Sequence, residues 1–178
     1  MTRYAAFLRG VNVGGHKLIK MADLRELCLE GGLLEVQTYI QSGNIVFSSP
    51  AQGGLAEKIS LLIRAAYGFE VAVLVKDCAE MGRIIDANPL ARDGGYEVKG
   101  LYATLLEAIP TENAVLAMAR SGKVREKFAI IGDVVYTWYA QGYGKSDFSN
   151  NFIEKALGLR ATTRNWTTML ALAQLTRA

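Results

Sequence analysis

The chain has 178 residues, 51% hydrophobic and 21% charged, a composition that builds one core or two small ones and excludes intrinsic disorder. Its formal net charge of +3 admits an anionic partner without demanding one. No apolar run reaches the ~18 residues that span a bilayer, and two widely spaced cysteines make neither a disulfide framework nor a zinc site. The apolar start, Tyr4 to Leu8, is cut short by Arg9 and is too brief for a secretion signal. A reducing cytoplasm is the expected location, with no membrane partner.

In chain order, a strand is predicted over 3–9 and a glycine-containing loop over 10–20. A helix runs from about Met21 to the Gly31-Gly32 stop, and a hairpin covers 36–48. The next helix spans 55–67, with Leu55, Ile59, Leu62, Ile63 and Ala66 on one face. A strand from Glu70 to Val75 closes the unit, and a helix over 78–87 follows it. The link from Asn88-Pro89 to Asp93-Gly94-Gly95 is dense in breakers. Beyond it the order repeats: strand 98–107, helix 112–120, hairpin 125–139, helix 150–157, strand 160–164, helix 166–175.

Local matches support a duplication. Ser42-Gly43-Asn44-Ile45-Val46-Phe47 resembles Ile131-Gly132-Asp133-Val134-Val135-Tyr136, each carrying a Gly-Asn or Gly-Asp pair suited to a two-residue turn. Lys76-Asp77 and Arg164-Asn165 both place a base before a helix-capping residue, with a Met four positions after the cap. Tyr4 to Leu8 resembles Tyr102 to Leu106. The fold class read from these patterns is α+β: a tandem duplication of two ferredoxin-like β-α-β-β-α-β units, residues 1–92 and 93–178, each followed by an extra helix and packed as one body.

In such a unit the strands lie in the order 4-1-3-2, so the end of the first strand adjoins the start of the third. Arg9, Asn12, Gly14, Gly15, His16 and Lys17 should then share one sheet edge with Gln41, Ser42 and Asn44. In the second half the polar positions fall on the opposite edge, at Gln141 to Asp147, which includes Lys145 and Ser146, and at Arg164 and Asn165. Two-fold packing of the halves would join these edges into one cleft.

The segments Leu8-Arg9-Gly10-Val11-Asn12-Val13-Gly14-Gly15, Thr38 to Phe47 and Thr162-Thr163-Arg164-Asn165-Trp166 resemble, in this order, the signatures of domain-of-unknown-function family 1697. The resemblance covers nearly the whole chain. It implies a duplicated α+β fold and no activity. At the end of the loop, where many members carry Lys, this chain has His16 and then Lys17.

The chemistry is sparse. Gly10 and Gly15 have the spacing of a phosphate-binding P-loop, but His16 and Lys17 stand where Lys and Ser/Thr belong. Gly144-Lys145-Ser146 lacks the upstream glycine, its place taken by Tyr139. Against a binding loop stands the plain alternative of a connection that needs unusual backbone angles, and against a ligand role for Ser42 and Asn44 stands hairpin chemistry alone. His16 is the only histidine, which excludes a His-based metal cluster. Cys28 reads as core filler and Cys78 as a packing slot matched by Trp166. Trp166, Met169, Leu170 and Ala173 form a core stripe. Strand aromatics (Tyr4, Phe7, Phe47, Tyr136, Trp138) could stack single-stranded nucleic acid, although the RNA-binding strand motif is absent and burial is the ordinary explanation. Glu154 follows Asn151 in a capping-box-like spacing.

Three classes of function remain. The leading one is a binding module for a small anionic, phosphate-bearing ligand held by Arg9, Asn12, Lys17 and the loop amides. The second is a nucleic-acid-binding protein using this basic edge with Lys145 and Arg164. The third is an enzyme acting on the same ligand through His16 or Lys17. The sequence names no cofactor, and the expected state is a monomer or a weak homodimer.

Overall fold

The computed structural model describes residues 1–177. The first part of the chain forms β1 (Thr2–Leu8), α1 (Met21–Glu30), β2 (Leu34–Tyr39), β3 (Asn44–Ser49), α2 (Leu55–Tyr67), β4 (Val73–Asp77) and α3 (Cys78–Ala87). A short α4 (Pro89–Arg92) precedes β5 (Leu101–Leu106), α5 (Glu112–Arg120), β6 (Lys127–Ile131), β7 (Val134–Trp138), α6 (Asn150–Leu157), β8 (Ala161–Asn165) and α7 (Trp166–Arg177). The fold is α+β, with two four-stranded antiparallel sheets in the orders β2-β3-β1-β4 and β6-β7-β5-β8.

Contacts gather Met1–Arg83 and the residues from Ala171 into one unit, and Ile84–Leu170 into another. The divisions fall inside α3 and α7. Each of these helices starts directly after a strand. Asp77 Oδ1 accepts the Glu80 N–H at 2.7 Å while Glu80 Oε2 accepts the Asp77 N–H at 2.9 Å, a reciprocal capping box. Asn165 Oδ1 accepts the Thr168 N–H at 2.8 Å in the corresponding place.

In the first unit, Tyr4, Ala6, Leu8, Ile45 and Phe47 meet Leu24 and Cys28 of α1 and Leu55, Ile59 and Ile63 of α2. Ala66, expected on that helix face, is exposed in the last turn. In the second unit, Leu106, Val135 and Ala161 pack with Met118, Phe148, Ile153 and Leu157. The stripe on α7 buries Trp166, Met169, Leu172 and Ala173, and Leu170 is exposed. Leu170 lies about 100° around the helix from Met169, outside that stripe.

The hairpins differ. Ile131 pairs with Val134 across the two-residue turn Gly132-Asp133, with positive φ at Gly132 alone, as a type II′ turn requires. In the first unit Tyr39 pairs with Asn44, so residues 40–43 form a four-residue turn and Asn44 already belongs to β3. The Leu8 N–H donates to Gly43 O and the Leu106 N–H to Asp133 O, both at 2.8 Å. Gly43 therefore corresponds to Asp133, one residue away from the match read in the sequence.

Burial pushes the Cys28 thiol up from 9.0 to about 11, so between these values the unfolded chain has lost a proton that the folded chain keeps. This contribution is complete below pH 9.0 and is lost as pH rises toward about 11. Urea unfolding of Cys28→Ala is expected to show a shallower decline over that range than the wild type. An equal decline would refute the assignment.

Candidate functional site

Three segments meet at one end of the first sheet because β1 lies between β3 and β4. Phe7 is opposite Asn44, and Leu8 is opposite Val73. The chain leaving β1 therefore lies beside both the turn entering β3 and the segment entering β4. The Arg9 N–H donates to Ala72 O at 2.9 Å, and the Arg9 side chain is half-buried.

The loop after Arg9 is a small β-ribbon. The Asn12 N–H donates to Lys17 O at 3.2 Å and the His16 N–H to Val13 O at 3.1 Å, with Val13 and His16 bridged. Between them Gly14 and Gly15 hold φ of 59° and 78°, the two positive angles of a type I′ turn. Hairpin geometry thus accounts for this glycine pair without a phosphate cradle. The ribbon from Val13 to Lys17 is exposed.

Asn12 fastens the base of the ribbon. Its Nδ2 donates to Ile19 O at 2.9 Å and to Gln41 O at 2.8 Å, and its Oδ1 accepts the Ile19 N–H at 2.9 Å. One side chain thereby ties the loop to itself and to the β2–β3 turn, at a backbone φ of 55° that asparagine tolerates better than most residues. Lys17 Nζ donates to Glu70 O at 2.6 Å and stands 5.9 Å above the Phe69 ring, which leaves an exposed cation positioned at the sheet end.

The turn packs directly on the loop. A Cβ on Gly43 would stand 2.3 Å from Val11 Cγ2 and 2.8 Å from Leu8 Cβ, at a φ of 75°. Asn44 is fully buried, with Nδ2 donating to Tyr39 O and Ser42 Oγ, both at 3.0 Å. Its polarity serves the turn. Ser42 is half-buried, whereas Gln41 is exposed and meets the loop through its carbonyl.

The residues proposed for the second edge belong to the other unit and have internal tasks. Arg164 is buried, donates to Thr162 Oγ1 at 2.7 Å and Thr163 O at 2.9 Å, and is lowered by burial to about 10. Asn165 caps α7. Ser146 Oγ bonds Glu126 and accepts the Phe148 N–H at 3.0 Å. Lys145 is exposed. Two features there have no counterpart in the sequence pattern. Tyr102, Tyr139 and Tyr143 form a triangle with ring centroids 5.2 Å apart, and a relay links Thr104, Thr163 and Asn150 through contacts of 2.8 and 2.9 Å. Burial, and then neighbouring Tyr143, push the Tyr139 phenol well above its ordinary value, and its hydroxyl donates to Phe148 O at 2.7 Å. Both features fix the segment carrying Lys145 and Ser146.

The strand aromatics Tyr4, Phe7, Phe47 and Tyr136 are buried and offer no stacking platform. Among the described residues no group of three or more His, Cys, Asp or Glu side chains could hold a metal ion.

The family described as "Protein of unknown function (DUF1697)" matches residues 1–136. No curated protein matches the chain. The solved structure of the conserved bacterial protein SP0830 from Streptococcus pneumoniae is 24% identical, covers 98% of each chain and superposes with a TM-score of 0.71, a likeness that bears on fold alone.

Gly43→Ala is expected to destabilise the protein by more than about 2 kcal/mol, combining left-handed strain with overpacking against Leu8 and Val11. Gly132→Ala, with nothing near its Cβ, should cost less. Chemical denaturation of both variants measures the difference, and equal losses would contradict the packing described.

Proposed function

The chain belongs to the family described as protein of unknown function, DUF1697, and we propose that it is a binding module for a phosphate-bearing anion at the end of the first sheet. The observation that carries the reading is the over-determined ribbon. Asn12 and Lys17 both stand at positive φ and are locked by hydrogen bonds, and the ribbon displays His16 and Lys17 to solvent with Lys20 beside it. Backbone strain that surrounding contacts hold in place concentrates at binding sites. Arg9 and the 40–43 turn complete the proposed surface.

The same reading takes the two units as ferredoxin-like repeats that arose by duplication. Their shared strand order, their matching ladder bonds at Leu8 and Leu106, and their matching helix caps at Asp77 and Asn165 support it. The nucleic-acid reading has less support, because Arg164 and most strand aromatics are buried. The enzyme reading has least: among the described residues no side-chain hydrogen bond that would hold a catalytic imidazole in place reaches the His16 ring.

The test is thermal denaturation with phosphate, pyrophosphate, nucleotides and sugar phosphates. A ligand present at about a hundredfold over its Kd is expected to add about 2.7 kcal/mol, and the gain should disappear in a His16→Ala, Lys17→Ala double variant. A shallow dependence on salt would mark one small ligand and a steep one nucleic acid. No shift with any of these anions, or an equal shift in the variant, would overturn the proposal.

A further inference from the structure

We infer that the phosphates recognised at this sheet end are those of an anionic phospholipid bilayer, against which the 12–18 ribbon and the 40–43 turn rest. The inference depends on the anion-binding reading and adds the side chains that stand among the cations. Val13 is 64% exposed, Leu18 65% and Ile40 49%. Val13 is bridged to His16, and Leu18 directly follows Lys17, so two aliphatic side chains flank the His16-Lys17 pair along the ribbon.

Ile40 supplies an independent observation. Its φ is 51°, a left-handed conformation in which a β-branched residue is an outlier and which Gly or Asn would adopt with little strain. A strained, exposed aliphatic side chain adds nothing to the core. Keeping apolar surface there at a cost in backbone strain fits a residue that meets a partner.

The charges are complementary to an anionic surface. Lys17, Lys20 and half-buried Arg9 lie on this loop. Of the nearby acids, Glu70 is paired with Arg64 at 3.1 Å, and Asp23 stands in the first turn of α1. A free phosphate would satisfy the cations and leave three aliphatic side chains in water. Nucleic acid would seek aromatic faces for its bases, and the exposed large apolar side chains here, Val13, Leu18 and Ile40, are aliphatic. A bilayer offers phosphates at headgroup level with apolar surface just beneath, and it receives projecting side chains without an enclosing pocket. No helix among the described residues is long and apolar enough to cross a membrane. Lying on a membrane is a separate property from crossing one, and here the inference departs from the sequence expectation of no membrane partner.

The experiment is co-sedimentation with phosphatidylcholine vesicles, with and without phosphatidylglycerol, in the presence and absence of glycerol 3-phosphate. Binding is expected only to the anionic vesicles, weakened by salt and persisting when glycerol 3-phosphate is added. A Val13→Asp, Leu18→Asp double variant should bind about tenfold more weakly or worse. Ile40→Asn should also weaken binding while holding or raising the melting temperature, which separates a lost contact from a damaged fold. If anionic vesicles fail to pellet the protein while pyrophosphate still raises its melting temperature, the lipid inference falls and the anion reading stands. If neither has an effect, both fall. Undiminished binding by the Asp and Asn variants would also overturn the inference.

Discussion

Antiparallel pairing of β1 with β3 dictates the arrangement at the sheet end. With Phe7 opposite Asn44, the chain leaving Leu8 and the chain arriving at Asn44 must occupy adjoining space. That requirement leaves no room for a side chain at position 43, where Leu8 and Val11 press on the turn. It also brings the Gln41 carbonyl within reach of Asn12, whose amide then closes the loop and turn into one piece. The ribbon, its two-glycine tip and the placement of Lys17 over Phe69 all follow from this anchor.

Much of the architecture was legible because its boundaries have local chemical causes. The expected helices over about 55–67, 112–120 and 150–157 agree with the observed bounds, since left-handed glycines at Gly54, Gly68 and Gly158 and hydroxyl caps at Thr111 and Ser149 mark their ends. Strand ends were less legible. β4 starts at Val73, not Glu70: the carbonyls of Glu70 and Val71 accept from Lys17 Nζ and Ser60 Oγ, side chains of other segments. Only the folded chain reveals such competitors. The four-residue turn was missed for a similar reason: Gly43-Asn44 has the composition of a two-residue turn, but the pairing of Tyr39 with Asn44 decides the register.

Residue type alone did not distinguish polar groups that face a partner from polar groups consumed by the fold. Asn12 and Asn44 read alike in sequence; one bridges two segments at the surface and the other is sealed inside its own turn. Arg164 and Asn165 belong to a conspicuous polar motif and satisfy local hydrogen bonds. Conversely, residue type does not single out Val13, Leu18 and Ile40, apolar residues within a polar loop and turn. For Ile40 the signal lies in a backbone angle that no reading of composition supplies.

Asn12 organises the loop locally and leaves the sheet beneath it intact, a division that amide hydrogen exchange in Asn12→Ala resolves residue by residue. The Ile19 amide donates to Asn12 Oδ1, and the amides of Asn12 and His16 hold the ribbon closed. The expected result is faster exchange at Ile19, residue 12 and His16, with protection of Ala6 and Phe47 in the central strands unchanged. Unchanged protection at Ile19, or an equal loss of protection throughout β1 and β3, would contradict the account.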